Sequence, residues 1–231
     1  MTLRGIQSAA HSMSYYTRLQ EVTANNLANV STDAFKADRI YARLDGQGEF
    51  PVPVQATDLS QGQLRETGRP LDLALEGDGF LVVETPQGER LSRGGSMRLD
   101  AGGRLTDAEG NPVLGQGGPV VVPTGEVEIR ADGAVLVDGA QVDTLRLETV
   151  EDTRTLRKEG HGRFVAEGPT LPVGDGAVRV RQGEIEEPNN DAITGMVDLV
   201  TIQRAYAANA DALKAMDSVL STIATDVARV G

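Results

Sequence analysis

Residues 188–231 read PNNDAITGMVDLVTIQRAYAANADALKAMDSVLSTIATDVARVG. From Leu199 onward, mostly apolar side chains recur at alternating spacings of three and four residues, which predicts one long helix with a heptad stripe. Pro188 bars helix propagation from upstream, and Asn189, Asn190 and Asp191 are candidate caps, so the helix is expected to begin close to them. The stripe consists of Leu199, Ile202, Tyr206, Asn209, Leu213, Met216, Leu220, Ile223, Val227 and Val230.

This helix is expected to need a partner, because at 1.5 Å per residue it would be roughly 60 Å long, too long for a compact domain to cover. The flanks of the stripe carry Ala and Ser rather than the Glu and Lys of an exposed two-stranded coiled coil. Small side chains let several helices approach closely, although Ala on a solvated face is also simply a good helix former. Asn209 within the stripe is more typical of a residue that fixes helix register than of a ligand.

The composition narrows the class of protein. The 231 residues suit one large or two small domains, and the net charge of −12 argues against a nucleic-acid or anionic-membrane partner. Cysteine is absent, which excludes disulfides. Residues 1–16 lack the apolar core of a secretory signal peptide, so secretion by the general route is disfavoured. No run reaches the length of a transmembrane helix, so direct membrane insertion is not expected.

The start of the chain predicts a second, weaker helix over residues 3–30. Its stripe consists of Leu3, Ile6, Ala10, Met13, Thr17, Gln20, Ala24 and Leu27. Two heptad helices at opposite ends of one chain predict an α+β fold, in which the long N- and C-terminal helices pack as an axial coiled-coil-like pair and an all-β domain is inserted between them.

The middle of the chain predicts short strands and tight turns. We divide the chain into an N-terminal axial helix (1–32), an extended connector with the first strands (33–76), a β domain (77–177), and a return strand with the C-terminal axial helix (178–231). Leu71, Leu73 and Leu75 alternate with polar or small residues, as in a half-buried strand. Pairs such as Asp132-Gly133 and Asp138-Gly139 favour tight hairpin turns.

No motif in the sequence indicates catalysis, a metal site or a cofactor site. His11 and His161 are the only histidines, and without cysteine they do not make a zinc site. Residues 94–98 lack the second glycine of a nucleophile elbow, and residues 107–111 lack the distal acid of a calcium loop. Glu186 and Glu187 have no second acidic pair with which to form an acid and a base, so the acidic excess is interpreted as a solvated face.

Several segments resemble the signatures of the bacterial flagellar rod and hook family. They are ANNLANV at residues 24–30, QGQLRETGRPLDLALEGDGF at 61–80 and IQRAYAAN at 202–209. Ala34 stands where the family usually has glycine, and it would be disfavoured if that turn requires positive φ. The residues that match the family motifs are Asn25, Asn26, Leu27, Asn29, Phe35, Lys36, Gly68, Pro70, Leu71, Asp72, Gly77, Gly79, Phe80, Gln203, Arg204 and Tyr206.

The resemblance implies a structural subunit of the basal-body rod, exported by the flagellar apparatus without a cleaved signal peptide and located in the rod that spans the periplasm. Its expected partners are other rod proteins, copies of itself and the export apparatus. The heptad stripes supply the expected assembly interface, namely Leu3, Ile6, Met13, Leu27, Leu199, Ile202, Tyr206, Asn209, Leu213, Met216, Leu220 and Ile223.

Three alternatives remain open at this point. The short chain and residues 112–123 resemble the proximal rod subunits, while a distal rod subunit shares every major signature. A secreted acidic surface module with a coiled-coil stalk is a different class, although it would need a cleaved apolar leader. An enzyme would need a pocket with a titratable pair.

Overall fold

The computed structural model describes residues 2–44, 51–174 and 176–230. The chain divides into two compact units. The helical unit comprises Met1–Ala28, Asp38–Ala56 and Asp191–Gly231, and the β unit comprises Asn29–Ala37 and Thr57–Asn190. The chain therefore crosses between the units after residues 28, 37, 56 and 190.

The helical unit contains two antiparallel helices and a sheet of two strands. Its elements are α1 (Thr2–Ala28), β1 (Asp38–Leu44), β2 (Pro51–Thr57) and α2 (Ala192–Val230). A Cβ built on Gly5, near the start of α1, would lie 3.6 Å from Met216 Sδ in the later half of α2. At the other end, a Cβ built on Gly195 would lie 3.7 Å from Leu27 Cδ1. Neither described helix has an apolar stretch sufficient to cross a membrane.

The start of α2 confirms the predicted helix boundary. The Asp191 carboxylate accepts a hydrogen bond from the Thr194 backbone N–H at 2.8 Å, as an N-cap residue does. This bond lowers the pKa of Asp191 below its usual value. Of the three candidate caps, Asp191 therefore fills the role.

The β unit is built from short strands and one 3₁₀ turn, Thr153–Thr155. The strands are β3 (Leu64–Glu66), β4 (Asp72–Gly77), β5 (Phe80–Thr85), β6 (Gly88–Ser92), β7 (Gly94–Ser96), β8 (Arg98–Leu99), β9 (Leu105–Thr106), β10 (Leu114–Gly115), β11 (Gly118–Pro119), β12 (Val127–Ile129), β13 (Ala134–Val137), β14 (Ala140–Thr144), β15 (Leu147–Val150), β16 (Leu156–Gly160), β17 (Arg163–Ala166), β18 (Thr170–Pro172), β19 (Val178–Gln182) and β20 (Glu184–Glu186).

Antiparallel pairing organises these strands into several small sheets. The largest has the order β16-β17-β6-β5-β15-β18, and two three-stranded sheets have the orders β12-β13-β14 and β19-β4-β7. Three further pairs are β20–β3, β8–β9 and β10–β11. Asp138 and Gly139 both have positive φ where they join β13 to β14, which confirms the predicted tight turn.

Two hydrophobic clusters form the core of the β unit. The first gathers side chains from β4, β5, β9, β12, β13 and β19, including Leu73, Leu75 and Val180. The second lies on the other face of β5, around Phe80, Val82 and Phe164. Alternate residues of β5 thus serve different clusters, which is the period-two geometry of a strand buried on both faces.

The predicted fold class is wrong. β-strands account for most of the regular structure, with one helix at each end of the chain. Strands also occupy residues 38–44 and 51–57, so the β structure is not confined to one inserted domain. Residues 45–50 of the predicted connector lie outside the described residues.

Among the side chains that the structure describes, the predicted coiled-coil-like seam is not a continuous buried stripe. On α1, the predicted stripe residues Ala10 and Thr17 are exposed, whereas Ala9 and Val22 are buried. On α2, Ile202 is the buried stripe residue among those described. The small and polar side chains of α1 offer little apolar area, so spacing alone did not identify the face that packs.

Strand β4 is more deeply buried than the alternation of leucines predicts. Asp72 and Ala74 are buried together with Leu73 and Leu75. The reason is position, because β4 is the central strand of its sheet and has β19 on one side and β7 on the other.

The turn between α1 and β1 contains a strained residue. Ala34 has φ of 56° and is 1% exposed, and its N–H donates to the Glu186 carbonyl at 2.7 Å. The observed φ confirms that this turn takes a left-handed conformation at residue 34. That conformation costs an L-residue about 1–2 kcal/mol. The surrounding contacts therefore hold Ala34 in a conformation that favours glycine.

Substitutions at Ala34 should separate backbone strain from burial. Ala34→Val should destabilise the β unit by about 2–5 kcal/mol, because a β-branched residue at positive φ adds strain and the buried site has no room for it. Ala34→Gly should stay within about 1 kcal/mol of the parent, since relief of strain offsets the lost methyl burial and the added chain entropy. Urea unfolding would measure both.

Ala140→Val is the matched control, because Ala140 is an exposed residue of β14. It should change the free energy of unfolding by less than about 1 kcal/mol. Equal stability of the Ala34→Val and Ala140→Val proteins would contradict the strained turn.

Candidate functional site

The predicted interface residues mostly lie on the sides of α1 and α2 that are partly covered. Ile202 is buried, and Met216 is 37% exposed. The half-buried members are Ile6, Met13, Leu27, Leu199, Tyr206, Asn209, Leu213 and Leu220, while the side chains of Leu3 and Ile223 lie outside the described residues. Asn209 donates to the Ala205 carbonyl at 2.8 Å, one turn earlier in its own helix.

The opposite face of α2 carries an apolar stripe that the sequence analysis missed. Ile193, Met196, Val197 and Val200 are 75%, 55%, 60% and 47% exposed. Their spacing of three or four residues places them on one side of the helix, and we call them the exposed stripe. The same spacing is visible in the sequence, but these residues precede Leu199, where the predicted heptad stripe begins.

The first family motif anchors the end of α1 to the start of β1. Asn26 Nδ2 donates to the Asp38 carbonyl at 2.8 Å, and the Asp38 N–H donates to Asn26 Oδ1 at 2.9 Å. Asn29 Oδ1 accepts from Thr32 Oγ1 at 3.3 Å in the following turn. Asn25 is exposed, as are Gln203 and Arg204 of the third motif.

A buried ionic centre lies in the β unit, where Glu186 meets two cations. Glu186 is fully buried, and Lys36 and Arg93 are 1% and 4% exposed. Lys36 Nζ donates to Glu186 Oε1 at 2.5 Å, and Arg93 Nε donates to Oε2 at 3.2 Å. The Gly62 N–H donates to Oε1 at 2.7 Å, so both carboxylate oxygens are occupied. We call Lys36, Arg93 and Glu186 the ionic centre.

Backbone carbonyls of the second family motif also bind Arg93. Arg93 Nη1 donates to the carbonyls of Gly77 and Gly79 at 2.6 Å each, and Nη2 donates to the Leu75 carbonyl at 3.0 Å. The guanidinium carbon lies 5.7 Å from the centre of the Phe80 ring, within the range of a cation–π contact. The backbone at Gly77 is crowded, since a Cβ there would lie 2.5 Å from the Ala177 carbonyl oxygen.

Lys36 is held almost entirely by polar partners. Besides Glu186, its Nζ donates to the Ser60 carbonyl at 2.8 Å. Burial lowers the pKa of Lys36, and the hydrogen bond to Glu186 opposes that effect. Next to it, Phe35 lies beneath Lys158, whose Nζ is 3.9 Å from the ring centre.

Asp72, the first residue of β4, forms a second buried anionic site. Its carboxylate accepts from Thr67 Oγ1 at 2.6 Å, Arg69 Nε at 2.8 Å and Ser96 Oγ at 2.7 Å. Burial alone would raise the pKa of Asp72, but these three donors together lower it below its usual value. Gly68, with φ of 68°, lies in the turn between Thr67 and Arg69.

The remaining motif residues of this region are structural. The Pro70 carbonyl accepts from Gln182 Nε2 at 2.8 Å, and Leu71 packs against the first hydrophobic cluster. The three family motifs therefore lie in different parts of the structure. The motif residues that meet around the ionic centre are Lys36, Gly77, Gly79 and Phe80.

Sequence reasoning missed both partners of Lys36 in this centre. The sequence suggests Glu186 and Glu187 only as paired carboxylates and attributes the overall acidic excess to a solvated face, whereas Glu186 is fully buried. Buried charges follow no periodic pattern in a sequence. The features that could have indicated their burial are the position of Arg93 between two strands and the position of Glu186 next to the apolar Ile185.

A cavity of about 600 Å³ lies in the β unit near Arg146, Glu148 and Val173. Arg146 donates to both oxygens of Glu89 at 2.9 and 2.7 Å, and to Glu148 at 2.5 Å. These bonds, chiefly those to Glu89, raise the pKa of Arg146. Within the described ranges, no group of three or more acidic, His or Cys side chains is placed to hold a metal ion.

Comparison with known proteins gives two matches to family models. Residues 74–137 match the flagellar hook protein FlgE/F/G D1 domain, and residues 181–226 match the flagellar basal body rod FlgEFG protein C-terminal region. Glu186 and the exposed stripe fall within the second match.

Whole-length relatives carry related names. The chain is 34% identical to the flagellar basal-body rod protein FlgF of Escherichia coli (strain K12), over 92% of this chain and 93% of the relative. It is 33% identical to FlgF of Salmonella typhimurium over the same shares. It is 25% identical to the flagellar basal-body rod protein FlgG of Bacillus subtilis, over 96% of this chain and 98% of the relative.

The Asp72 site should make stability depend on acid pH. Because the pKa of Asp72 is lower in the folded state than in the unfolded chain, its contribution is fully present above the unfolded value of 3.8 and is lost as pH falls through the folded value. Asp72→Asn should therefore lower the free energy of unfolding by about 1–3 kcal/mol at pH 7. The difference from the parent should shrink as pH falls below 3.8.

Urea unfolding between pH 7 and about pH 2.5 would measure this difference. Asp78→Asn, at an exposed turn, controls for the loss of one carboxylate. A difference between Asp72→Asn and the parent that stays constant with pH would rule out a folded-state carboxylate stabilised by its donors.

Proposed function

Since this chain belongs to the flagellar basal-body rod protein family and is a structural subunit of the basal-body rod, we propose that it is an FlgF-type subunit of the proximal rod. The observation that carries the subtype is the 34% identity to FlgF of Escherichia coli over 92% of the chain. FlgG relatives match at lower identity, 25% for Bacillus subtilis and 28% for Agrobacterium fabrum. A distal rod subunit is therefore the second candidate.

The chemistry of the β unit supports a structural role. Buried and cavity-lining charges form ion pairs with one another in the ionic centre and between Arg146 and Glu89. Such pairs fix the geometry of a fold and leave no nucleophile or base positioned for catalysis at these places. We therefore propose that the protein has no enzymatic activity.

Assembly is proposed to use the helical unit. The exposed stripe presents four large apolar side chains to solvent, with Val219 55% exposed further along α2. Burying such side chains against a neighbour contributes about 1.5–3 kcal/mol each. Between and beyond them, Ala207, Ala208 and Ala215 keep the helix surface low, so that a neighbouring helix can approach closely.

The half-buried positions predicted from the sequence to form the interface lie on the other face of α2, and they are proposed as a second assembly surface. Leu199, Tyr206 and Leu213 are only partly covered in the single chain. Neighbouring subunits, either copies of this chain or other rod proteins, would cover the remainder.

The geometry of the assembly is proposed to be head-to-tail. A patch on one copy that meets a different patch on the next copy generates an open helical filament when the rotation does not close. Torque would then pass through the packed helices, because close-packed interiors have low compressibility.

Export and location complete the proposal. The flagellar export apparatus would deliver the chain, and the rod that contains it would span the periplasm. The absence of cysteine means that no disulfide has to form in that oxidising compartment.

A charge in the exposed stripe should block assembly without unfolding the protein. Val197→Asp should leave the circular dichroism spectrum and melting temperature within error of the parent, because Val197 is already 60% exposed. Incorporation into purified basal bodies should fall at least tenfold, as a carboxylate would be buried without a partner.

Val121→Asp is the matched control, since Val121 is 52% exposed on the β unit. It should be incorporated at the parent level. Basal bodies that contain the Val197→Asp protein in normal amount would refute the proposed surface.

Deletion of the gene should separate the two subtypes. If the protein belongs to the proximal rod, basal bodies from the deletion strain should lack the distal rod, and antibody to the chain should detect it in complete rods. A deletion strain that retains the proximal rod and lacks only its distal part would identify a distal subunit instead.

A further inference from the structure

The last segment of the β unit contacts widely separated parts of the chain. Glu186 binds Lys36, the Gly62 N–H and Arg93. The Ala34 N–H donates to the Glu186 carbonyl at 2.7 Å, and the Glu187 N–H donates to the Gln63 carbonyl at 2.8 Å. This segment therefore holds both the turn after α1 and the chain that enters β3.

Asn189 adds a clamp at the points where the chain leaves the β unit. Its Oδ1 accepts from the Ala37 N–H at 2.7 Å, and its Nδ2 donates to the Asp58 and Ser60 carbonyls at 2.8 and 3.0 Å. Its own N–H donates to the Phe35 carbonyl at 3.3 Å. Asn189 was a candidate helix cap in the sequence, but its side chain ties together three segments that border the crossings.

We propose that residues 184–189 are a latch that closes last and opens first, breaking its bonds to residues 34–37 while the two hydrophobic clusters stay folded.

The distribution of apolar contacts supports a separate opening. Phe35 and Ile185 are buried, yet neither belongs to the first or the second hydrophobic cluster. The latch pairs with β3 over three residues, Glu184 to Glu186. Regions that open below the global unfolding energy are those with few buried apolar contacts to the core.

The ionic centre makes the latch all-or-none. With the latch half open, Lys36 would be buried without its carboxylate, which is unfavourable in a low-dielectric interior. When the latch is fully open, Lys36 can reach water, and Arg93 keeps the carbonyls of Leu75, Gly77 and Gly79. Closed and open are therefore the two favourable states.

Sequence separation explains why the latch closes last. Lys36 and Glu186 lie 150 residues apart, and a chain that emerges from its N-terminus presents Lys36 long before Glu186. The long closure also carries a larger loop entropy than the local β hairpins. Opening would free the chain segments that lead to α1 and α2 from each other, and the β sheets would persist.

Native-state hydrogen exchange on the full chain tests the latch. The amides of Ala34, Ala37, Gly62 and Glu187 should exchange at one common rate, at least tenfold faster than those of Val82 and Leu91 in the core. Asn189→Ala removes no charge and should accelerate the latch amides about tenfold or more, because the four hydrogen bonds of its side chain are lost. The core amides should keep the parent rate.

Asn111→Ala is the matched control, because Asn111 also donates from its side chain, to Asp107 in a distant turn. It should leave the latch amides at the parent rate. The proposal is overturned if the latch and core amides of the parent exchange together, or if Asn189→Ala accelerates both sets equally or neither.

A second pair of variants tests the ionic centre within the latch. Glu186→Gln should accelerate the latch amides more than Asn189→Ala does, whereas Glu187→Gln should not, since Glu187 pairs with Arg65 at an exposed site. Equal exchange rates of the latch amides in the two glutamine variants would show that the Glu186 carboxylate does not stabilise the latch. If Glu186→Gln unfolds the whole β unit, the Asn189→Ala experiment still decides.

Discussion

The β unit depends on one carboxylate that is taken out of water. Glu186 is fully buried, and Lys36, Arg93 and the Gly62 N–H all donate hydrogen bonds to its carboxylate. A buried ion pair is weak as a source of stability, but its demand for every partner selects a single arrangement. Three segments that are remote in sequence must therefore meet in one register before Glu186 has all of its partners. The strained turn at Ala34 lies at the same place, since the Ala34 N–H donates to the Glu186 carbonyl.

The two units divide the physical problem between them. The β unit has two hydrophobic clusters and satisfies its buried charges internally, so it is complete as a single chain. The helical unit leaves Ile193, Met196, Val197 and Val200 in solvent. Apolar side chains in such a stripe are unusual on a monomer that functions alone, and they agree with membership of a rod protein family. The core of the β unit thus stabilises the fold, whereas the exposed surface of the helical unit is suited to assembly.

The sequence predicted those features that repeat along the chain. Helical spacing located α1 and α2, Asp191 began the second helix, and Asp138-Gly139 formed the expected hairpin. Features that depend on distant neighbours were not predictable in this way. The burial of Asp72 follows from the central position of β4, and Glu186 is buried because Lys36 and Arg93 reach it from elsewhere in the chain. Periodicity also misplaced the covered face of α1, where small side chains blur the difference between faces.

The size of the exposed stripe bears on how a rod would grow. Four large apolar side chains contribute at most about 6–12 kcal/mol when they are buried, whereas association costs an estimated 4–15 kcal/mol in lost translational and rotational freedom. Copies with a net charge of −12 also repel one another, which makes an isolated pair of subunits weaker still. With only one neighbour, the net free energy of association is therefore close to zero. Several neighbours that engage the same subunit at once add apolar burial while the loss of freedom is incurred only once. Such a surface favours addition to an existing rod end over pairing in solution.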